Sequence, residues 1–175
     1  MKKIFLSVLT TLLAFTLLTG CGKKEEKTVD LSAVTNAVQT VYGADYDIAM
    51  ESLPEDAIEQ RYGLTKDMYT EVSAITALIS VQNDEFVAVH AADGKVSEVE
   101  KKLLDYQTYL KEDSLQYPVN AIKVQASQVI VHGNYVFFVL RGPVDDTISE
   151  EDALLQAAKE SNQKAVDAVN QFFEK

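Results

Sequence analysis

Three side chains in this sequence could do chemistry that its other residues cannot: Cys21, the single cysteine, and His90 and His132, the only two histidines. A histidine acting as general base needs a nucleophile on one side and an orienting carboxylate on the other. The chain contains no Gly-x-Ser-x-Gly elbow, His-Glu-x-x-His pair, glycine-rich phosphate loop or Cys-x-x-Cys. An extracytoplasmic enzyme built on His90 or His132 would therefore have to bring a carboxylate from a distant segment. His90 closes an apolar strand pattern, where a mostly buried, hydrogen-bonded histidine is expected. His132 stands beside a turn, on a strand face that also carries Tyr135, Phe137 and Arg141. Those four residues form the candidate ligand face, provided that no helix covers it.

Metal chemistry has less support. Asp45-x-Asp47 opens like a calcium loop, but Ala49 and Met50 stand where an EF-hand needs an oxygen ligand and a glycine. Asp145, Asp146, Glu150, Glu151 and Asp152 gather at a helix start, where the helix dipole favours carboxylates without any cation. No pattern in the chain calls for a metal or a cofactor.

Cys21 is the residue whose surroundings specify its chemistry. Lys2 and Lys3 precede an uncharged apolar run from Ile4 to Leu18, and Thr19-Gly20 leads into the cysteine. The arrangement resembles a bacterial lipoprotein signal, in which the thiol receives a diacylglyceryl group and the chain is cut before it. The run is short of the roughly 20 residues that a membrane-spanning helix needs. Two acyl chains are sufficient for stable attachment, since each buried methylene contributes about 0.8 kcal/mol. Residues 1–20 thus read as signal and 21–29 as lipidated cysteine and charged spacer. Residues 30–175 read as one domain. The spacer reaches about 15 Å as a flexible coil, which holds that domain close to the outer face of the cell membrane.

Removing residues 1–20 from the 175 leaves 155, enough to bury about 68–70% of the unfolded surface. It also removes Lys2 and Lys3, taking the formal charge from −11 to −13. So acidic a chain is repelled by phosphate backbones, which excludes nucleic acid as a partner. Its partners are expected to be the membrane, through the anchor, and an envelope protein or small ligand. With no second cysteine, no disulfide can form within the chain, so stability must come from packing.

The elements follow from periodicity. Leu31, Val34, Val38, Val41 and Tyr42 predict a helix with Asp30 as its N-cap and Gly43 as its stop. A short helix is predicted from Pro54 to before Gly63. Two hairpins follow: Ser73 to Gln82 with Glu85 to Ala91 around Asn83-Asp84, and Gln128 to His132 with Tyr135 to Arg141 around Gly133-Asn134. The first places His90 on one face with Ala77, Ile79, Val81, Phe86 and Ala88. The second gives an apolar face of Val129, Val131, Val136, Phe138 and Leu140, expected to be core. Val96, Val99, Leu103, Tyr106 and Leu110 predict a helix between the hairpins, with Ser97 and Glu100 at capping-box spacing and Asp93 as an alternative, earlier start. A C-terminal helix over about 149–174 carries the stripe Leu154, Ala158, Ser161, Ala165, Val169 and Phe172, expected to pack on the protein's own sheet. The predicted fold is α+β: a four-stranded, mainly antiparallel sheet of two hairpins joined by a helix, with helices packed on it.

A series of short motifs runs along this framework. It comprises Tyr42-Gly43, Tyr62-Gly63, Ile79-Ser80-Val81 leading into Glu85-Phe86-Val87-Ala88-Val89, Ala92-Asp93-Gly94-Lys95, Tyr117-Pro118 and Gly133-Asn134-Tyr135-Val136-Phe137-Phe138-Val139. The series resembles small lipoproteins of Gram-positive type that carry the domain of unknown function numbered 4358, over about residues 31–141. The resemblance implies an extracytoplasmic, lipid-anchored α+β domain. It carries over no catalytic residue, and the predicted C-terminal helix lies outside it. The chemistry expected on this reading is non-catalytic binding or an accessory role at the cell envelope.

Overall fold

The computed structural model describes residues 28–174. The signal segment, Cys21 and most of the spacer lie outside those residues. Helix α1 (Leu31–Thr40) starts where its sequence predicts, with Asp30 Oδ1 accepting from the Ser32 and Ala33 amides at 2.9 and 3.4 Å. Its buried stripe is Leu31, Val34 and Val38. After a 3-10 turn at Ala44–Tyr46, β1 (Met50–Ser52) leads into α2 (Glu55–Tyr62), which Gly63 terminates in the left-handed region. Strands β2 (Tyr69–Ala77) and β3 (Glu85–Ala91) precede α3 (Val96–Glu112) and α4 (Pro118–Ala126). Strands β4 (Gln128–His132) and β5 (Tyr135–Leu140) then lead to α5 (Glu151–Asn170).

All strand pairings are antiparallel, in the order β1-β2-β3-β5-β4, so the sheet has five strands rather than four. The extra strand, β1, adds to the free edge of β2. At three residues it is too short for a period-two pattern to reveal. The second hairpin has the expected register, with Ile130 opposite Phe137, Val131 opposite Val136 and His132 opposite Tyr135.

The first hairpin differs from expectation. Its last pairing is Thr76 with Glu85, the Ala77 amide donates to the Asp84 carbonyl at 2.8 Å, and residues 78–83 form a loop. A two-residue turn at Asn83-Asp84 would put Asp84 at an exposed tip. Instead its carboxylate is drawn into the interior, and the Asn83 side chain donates to the Asn120 carbonyl at 3.0 Å. The register moves with it. His90 now lies opposite Glu71 and shares a face with Phe86, Ala88, Ser73 and Ile75, while Ile79 and Val81 are exposed in the loop.

One helix start differs from expectation, and one helix has no counterpart among the predicted elements. The Ser97–Glu100 capping box does not form; α3 begins after Lys95 with no side-chain cap. Helix α4 had no periodic signature long enough to predict it, although Pro118 at its first turn suits a helix start.

The sheet has two apolar faces, and both are covered except at the β4 edge, where Val131, expected in the core, is 37% exposed. Val87, Val89, Val136, Phe138 and Leu140 pack under α2 and α3 through Ile58, Tyr62, Leu103 and Leu110. On the other side Phe86, Ala88, Tyr135, Phe137 and Val139 pack under α1 and α5, through Val34, Val38, Ala165 and Val169. The expected stripe of α5 is thus spent on the protein's own core. Small residues at Ala158, Ser161 and Ala165 let this helix approach closely. The chain arrives at one end of the sheet, where the Val29 amide donates to the Tyr135 hydroxyl at 3.0 Å. Asp84, Glu85, Leu140 and Arg141 mark the opposite end.

Candidate functional site

Two consecutive residues at the start of β3 carry the most unusual chemistry of the described chain. Successive strand residues point to opposite faces, so Asp84 and Glu85 send their carboxylates into different layers. Both are buried, and each collects tyrosines and cations.

On the α1/α5 side, the Tyr46 hydroxyl lies 2.9 Å from each Asp84 oxygen, and the Gly142 amide donates to Oδ1 at 3.1 Å. Lys123 Nζ approaches Oδ2 to 2.5 Å and Arg141 Nη1 stands 3.7 Å from Oδ1, with the three charged side chains 0–6% exposed. Arg141 also directs Nη2 to the Gln39 carbonyl at 3.4 Å, and its buried Nε has no partner. Burial pushes the Lys123 ammonium below the usual lysine range; Asp84 opposes this and Arg141 reinforces it. Burial pushes the Tyr42 and Tyr46 hydroxyls up, so both stay neutral. Two cations against one carboxylate leave this cluster with one positive charge in excess.

Gly142 permits this packing. Its φ is 119°, and a Cβ there would stand 2.4 Å from Ser161 Oγ and 2.9 Å from the Tyr42 hydroxyl. Gly142→Ala is expected to lower stability by about 2–4 kcal/mol, read by urea denaturation. A near-neutral variant would contradict the close approach of α5.

On the α2/α3 side, Glu85 accepts from the Tyr62 hydroxyl and, at 2.9 Å, from the Tyr106 hydroxyl; Arg61 Nη1 stands 3.8 Å away. The Tyr62 and Tyr106 rings meet edge to face at 4.8 Å. Burial raises the Glu85 carboxyl above the ordinary glutamate range, against the lowering pull of Tyr62, Arg61 and Tyr106. The folded state therefore binds this proton more tightly than the unfolded state does. Its stabilising effect is full below the unfolded-state value and is lost as pH rises through the folded-state value. Glu85→Gln, which cannot ionise, is expected to gain stability relative to the natural chain as pH rises above about 4.5. Thermal melts of both proteins across pH check the sign; a gap that closes with rising pH would contradict it.

A cleft lies beside each cluster. One, of about 740 Å³, is lined by Leu53, Gln60, Arg61, Tyr106, Tyr109 and Leu115. The other, of about 270 Å³, is lined by Tyr46, Val81, Tyr117, Asn120, Lys123 and Pro143, among others. Both open at the end of the sheet remote from Val29.

The residues singled out in the sequence are placed differently. Tyr135, Phe137 and Arg141 are buried beneath α1 and α5, so they present no open ligand face. The sheet face there carries too much apolar surface to stay uncovered. His132 is half-buried, with Nε2 2.8 Å from Asn170 Oδ1 and its ring stacked on Phe173 at 4.4 Å. His90 stacks on Tyr135 at 4.4 Å. Neither histidine is joined to a carboxylate among the described residues. Asp145 turns back on Thr147, accepting from its amide at 2.9 Å and its hydroxyl at 2.6 Å. Among the described residues no group of three or more His, Cys, Asp or Glu is placed to hold a metal ion.

Asp84 and Glu85 were missed because Asn83-Asp84 reads as a turn and a leading glutamate reads as a solvated strand end. One signal was available. Phe86-Val87-Ala88-Val89 is apolar without alternation, the mark of a strand covered on both faces, and a carboxylate directly before it is apt to be covered too.

Fold and site together define a small α+β domain with one antiparallel sheet and a buried carboxylate cluster on either side of its third strand. Residues 42–141 match the model of the domain of unknown function DUF4358, more than half of the chain, and the protein belongs to that family. The match begins at Tyr42 rather than near residue 31 and ends on Arg141. The charged and tyrosine side chains of both clusters fall inside it, whereas Gly142, α1 and α5 fall outside. No curated protein and no solved structure matches the chain.

Proposed function

We propose that the protein is a lipid-anchored binding module on the extracytoplasmic face of the cell membrane, acting on an envelope protein or a small ligand without catalysis. The observation that carries this reading is the placement of the two clefts. The chain joins the domain at Val29, against Tyr135, while Arg61, Tyr106 and Tyr117 line clefts at the opposite end. A domain tethered through Cys21 would therefore present the clefts away from the lipid. No helix among the described residues is long and apolar enough to cross a membrane. Attachment in this reading rests on the acyl chains. The alternative, an enzyme using His90 or His132 with a carboxylate, has less support, since the contacts of these residues are aromatic rings and an amide.

Two experiments test the proposal. Cys21→Ser is expected to leave the precursor uncut or to release the protein from the membrane fraction. A cleaved Cys21→Ser protein that stays on the membrane at natural levels would overturn the anchoring. A photo-crosslinking residue in place of Tyr117, at the cleft end, is expected to capture a specific partner. The same residue in place of Lys164, exposed on α5, is expected to capture none. Equal capture from both positions, or none from either, would overturn the orientation.

A further inference from the structure

We infer that the cleft over Lys123 is a carboxylate-binding site, taking a small monocarboxylate such as the C-terminal residue of a peptide. The inference rests on the binding-module reading and gives one of its clefts a ligand class.

Charge is the first argument. Lys123, Arg141 and Asp84 sit together with side-chain exposures of 0–6%, and two cations share one carboxylate. An uncompensated buried cation is costly, and an anion arriving from the cleft would balance it. Geometry is the second. Of the three cluster charges, Lys123 is the one that lines the cleft. An ammonium has three N–H donors, and its contacts here are Asp84 Oδ2 at 2.5 Å and the Tyr46 oxygen at 3.1 Å. One donor is left for a ligand oxygen. Tyr46 also lines the cleft, and its hydroxyl is engaged with Asp84, so it orients the ammonium rather than competing for the anion.

The walls define the rest of the ligand. Val81, Tyr117, Val119, Pro143 and Val144 share the lining with the polar side chains of Gln82 and Asn120. A volume of about 270 Å³ suits one small residue rather than a sugar chain or a nucleotide. Val81 and Tyr117 are 55% and 61% exposed, so the mouth is open to solvent. Asp146, exposed at the rim, is the one acidic group lining the cleft; it repels an anion and sets a handle for the test.

The test is an NMR titration of the folded protein with three probes: isovalerate, acetyl-Ala-Val, and acetyl-Ala-Val amide. An acid is expected to shift the amides of Val81, Asn120 and Val144 saturably, and the uncharged amide is expected to fail. Saturation by the dipeptide alone identifies a peptide C-terminus, and saturation by both acids identifies a general carboxylate site. Lys123→Met is expected to weaken the acid by about tenfold or more, as befits a lost charge-assisted hydrogen bond. Asp146→Asn, a surface change that leaves the buried cluster intact, is expected to tighten it a few-fold. No saturable shift with either acid at millimolar concentration would overturn the site, as would an amide that binds as well as the acid. Binding unchanged by Asp146→Asn and by a folded Lys123→Met would overturn it as well. Such results leave the Cys21 and crosslinking tests untouched, so the two proposals fail separately.

Discussion

Asp84→Asn is expected to destabilise the domain by about 3–5 kcal/mol, the range for a buried ion pair that loses one partner. In a domain of this size that corresponds to a fall in melting temperature of about 6–20 °C. The substitution keeps the side chain's shape and removes the only negative charge between Lys123 and Arg141. Lys123→Met is expected to cost less than half as much, since Asp84 and Arg141 then form a neutral pair and the new side chain is apolar. Combining the two should cost less than the sum of the single changes. The pH dependence carries a sign of its own. Burial already lowers the Lys123 ammonium, and losing Asp84 removes the group that opposes this. A depressed lysine binds its proton more weakly in the folded state, so Asp84→Asn should regain stability as pH rises toward the ordinary lysine range. Urea denaturation of the two single variants and the double variant checks the order. A milder Asp84→Asn than Lys123→Met would show that the cluster does not carry the excess charge assigned to it.

A chain ending at Val144 is expected to lose cooperative unfolding altogether. Without α5, the face bearing Phe86, Ala88, Phe137 and Val139 loses Ala165, Val166, Ala168 and Val169 as its cover. Each large apolar side chain returned to water costs about 1.5–3 kcal/mol, against a whole-domain stability of about 5–15 kcal/mol. Two polar contacts disappear as well. Asn162 Oδ1 accepts from the Arg141 amide at 2.9 Å, and its Nδ2 donates to the Ala126 carbonyl at 3.1 Å. The family match ends at Arg141, so the truncated chain holds all of that segment and still lacks one of its covering layers. Near-ultraviolet circular dichroism and a urea titration read the outcome. A truncated chain with a sharp, single transition would show that the matched segment covers its own sheet.

The elements with long, regular patterns were legible in the sequence. α1, α3, α5 and the Gly133-Asn134 hairpin stand near where their periodicity puts them, and the α+β class follows. Features decided by contacts between distant segments were not. Residues 73–82 form an acceptable strand by composition, yet the chain leaves the sheet at Leu78 because Asp84 is held by Lys123, Tyr46 and Gly142. Those partners lie far from Asp84 in sequence, and no local rule connects them. The candidate ligand face failed for a related reason. Alternation shows that Tyr135, Phe137 and Arg141 share a side, but not that two helices cover it. Cys21 is read from local sequence alone and lies outside the described residues.

The adjacency of Asp84 and Glu85 has a consequence for how the strands find their alignment. Sliding β3 by one residue against its neighbours would exchange the two side chains between layers. The shorter Asp84 would then face Tyr62 and Tyr106, and the longer Glu85 would be driven against Lys123 and the Gly142 backbone. Apolar runs such as Phe86 to Val89 and Val136 to Leu140 tolerate slippage by themselves, because Phe, Val and Ala can fill either side. These two carboxylates differ in length and in the partners that await them, so each fits only its own layer. They act as a key cut on both edges, selecting a single alignment from several that the apolar residues alone would accept.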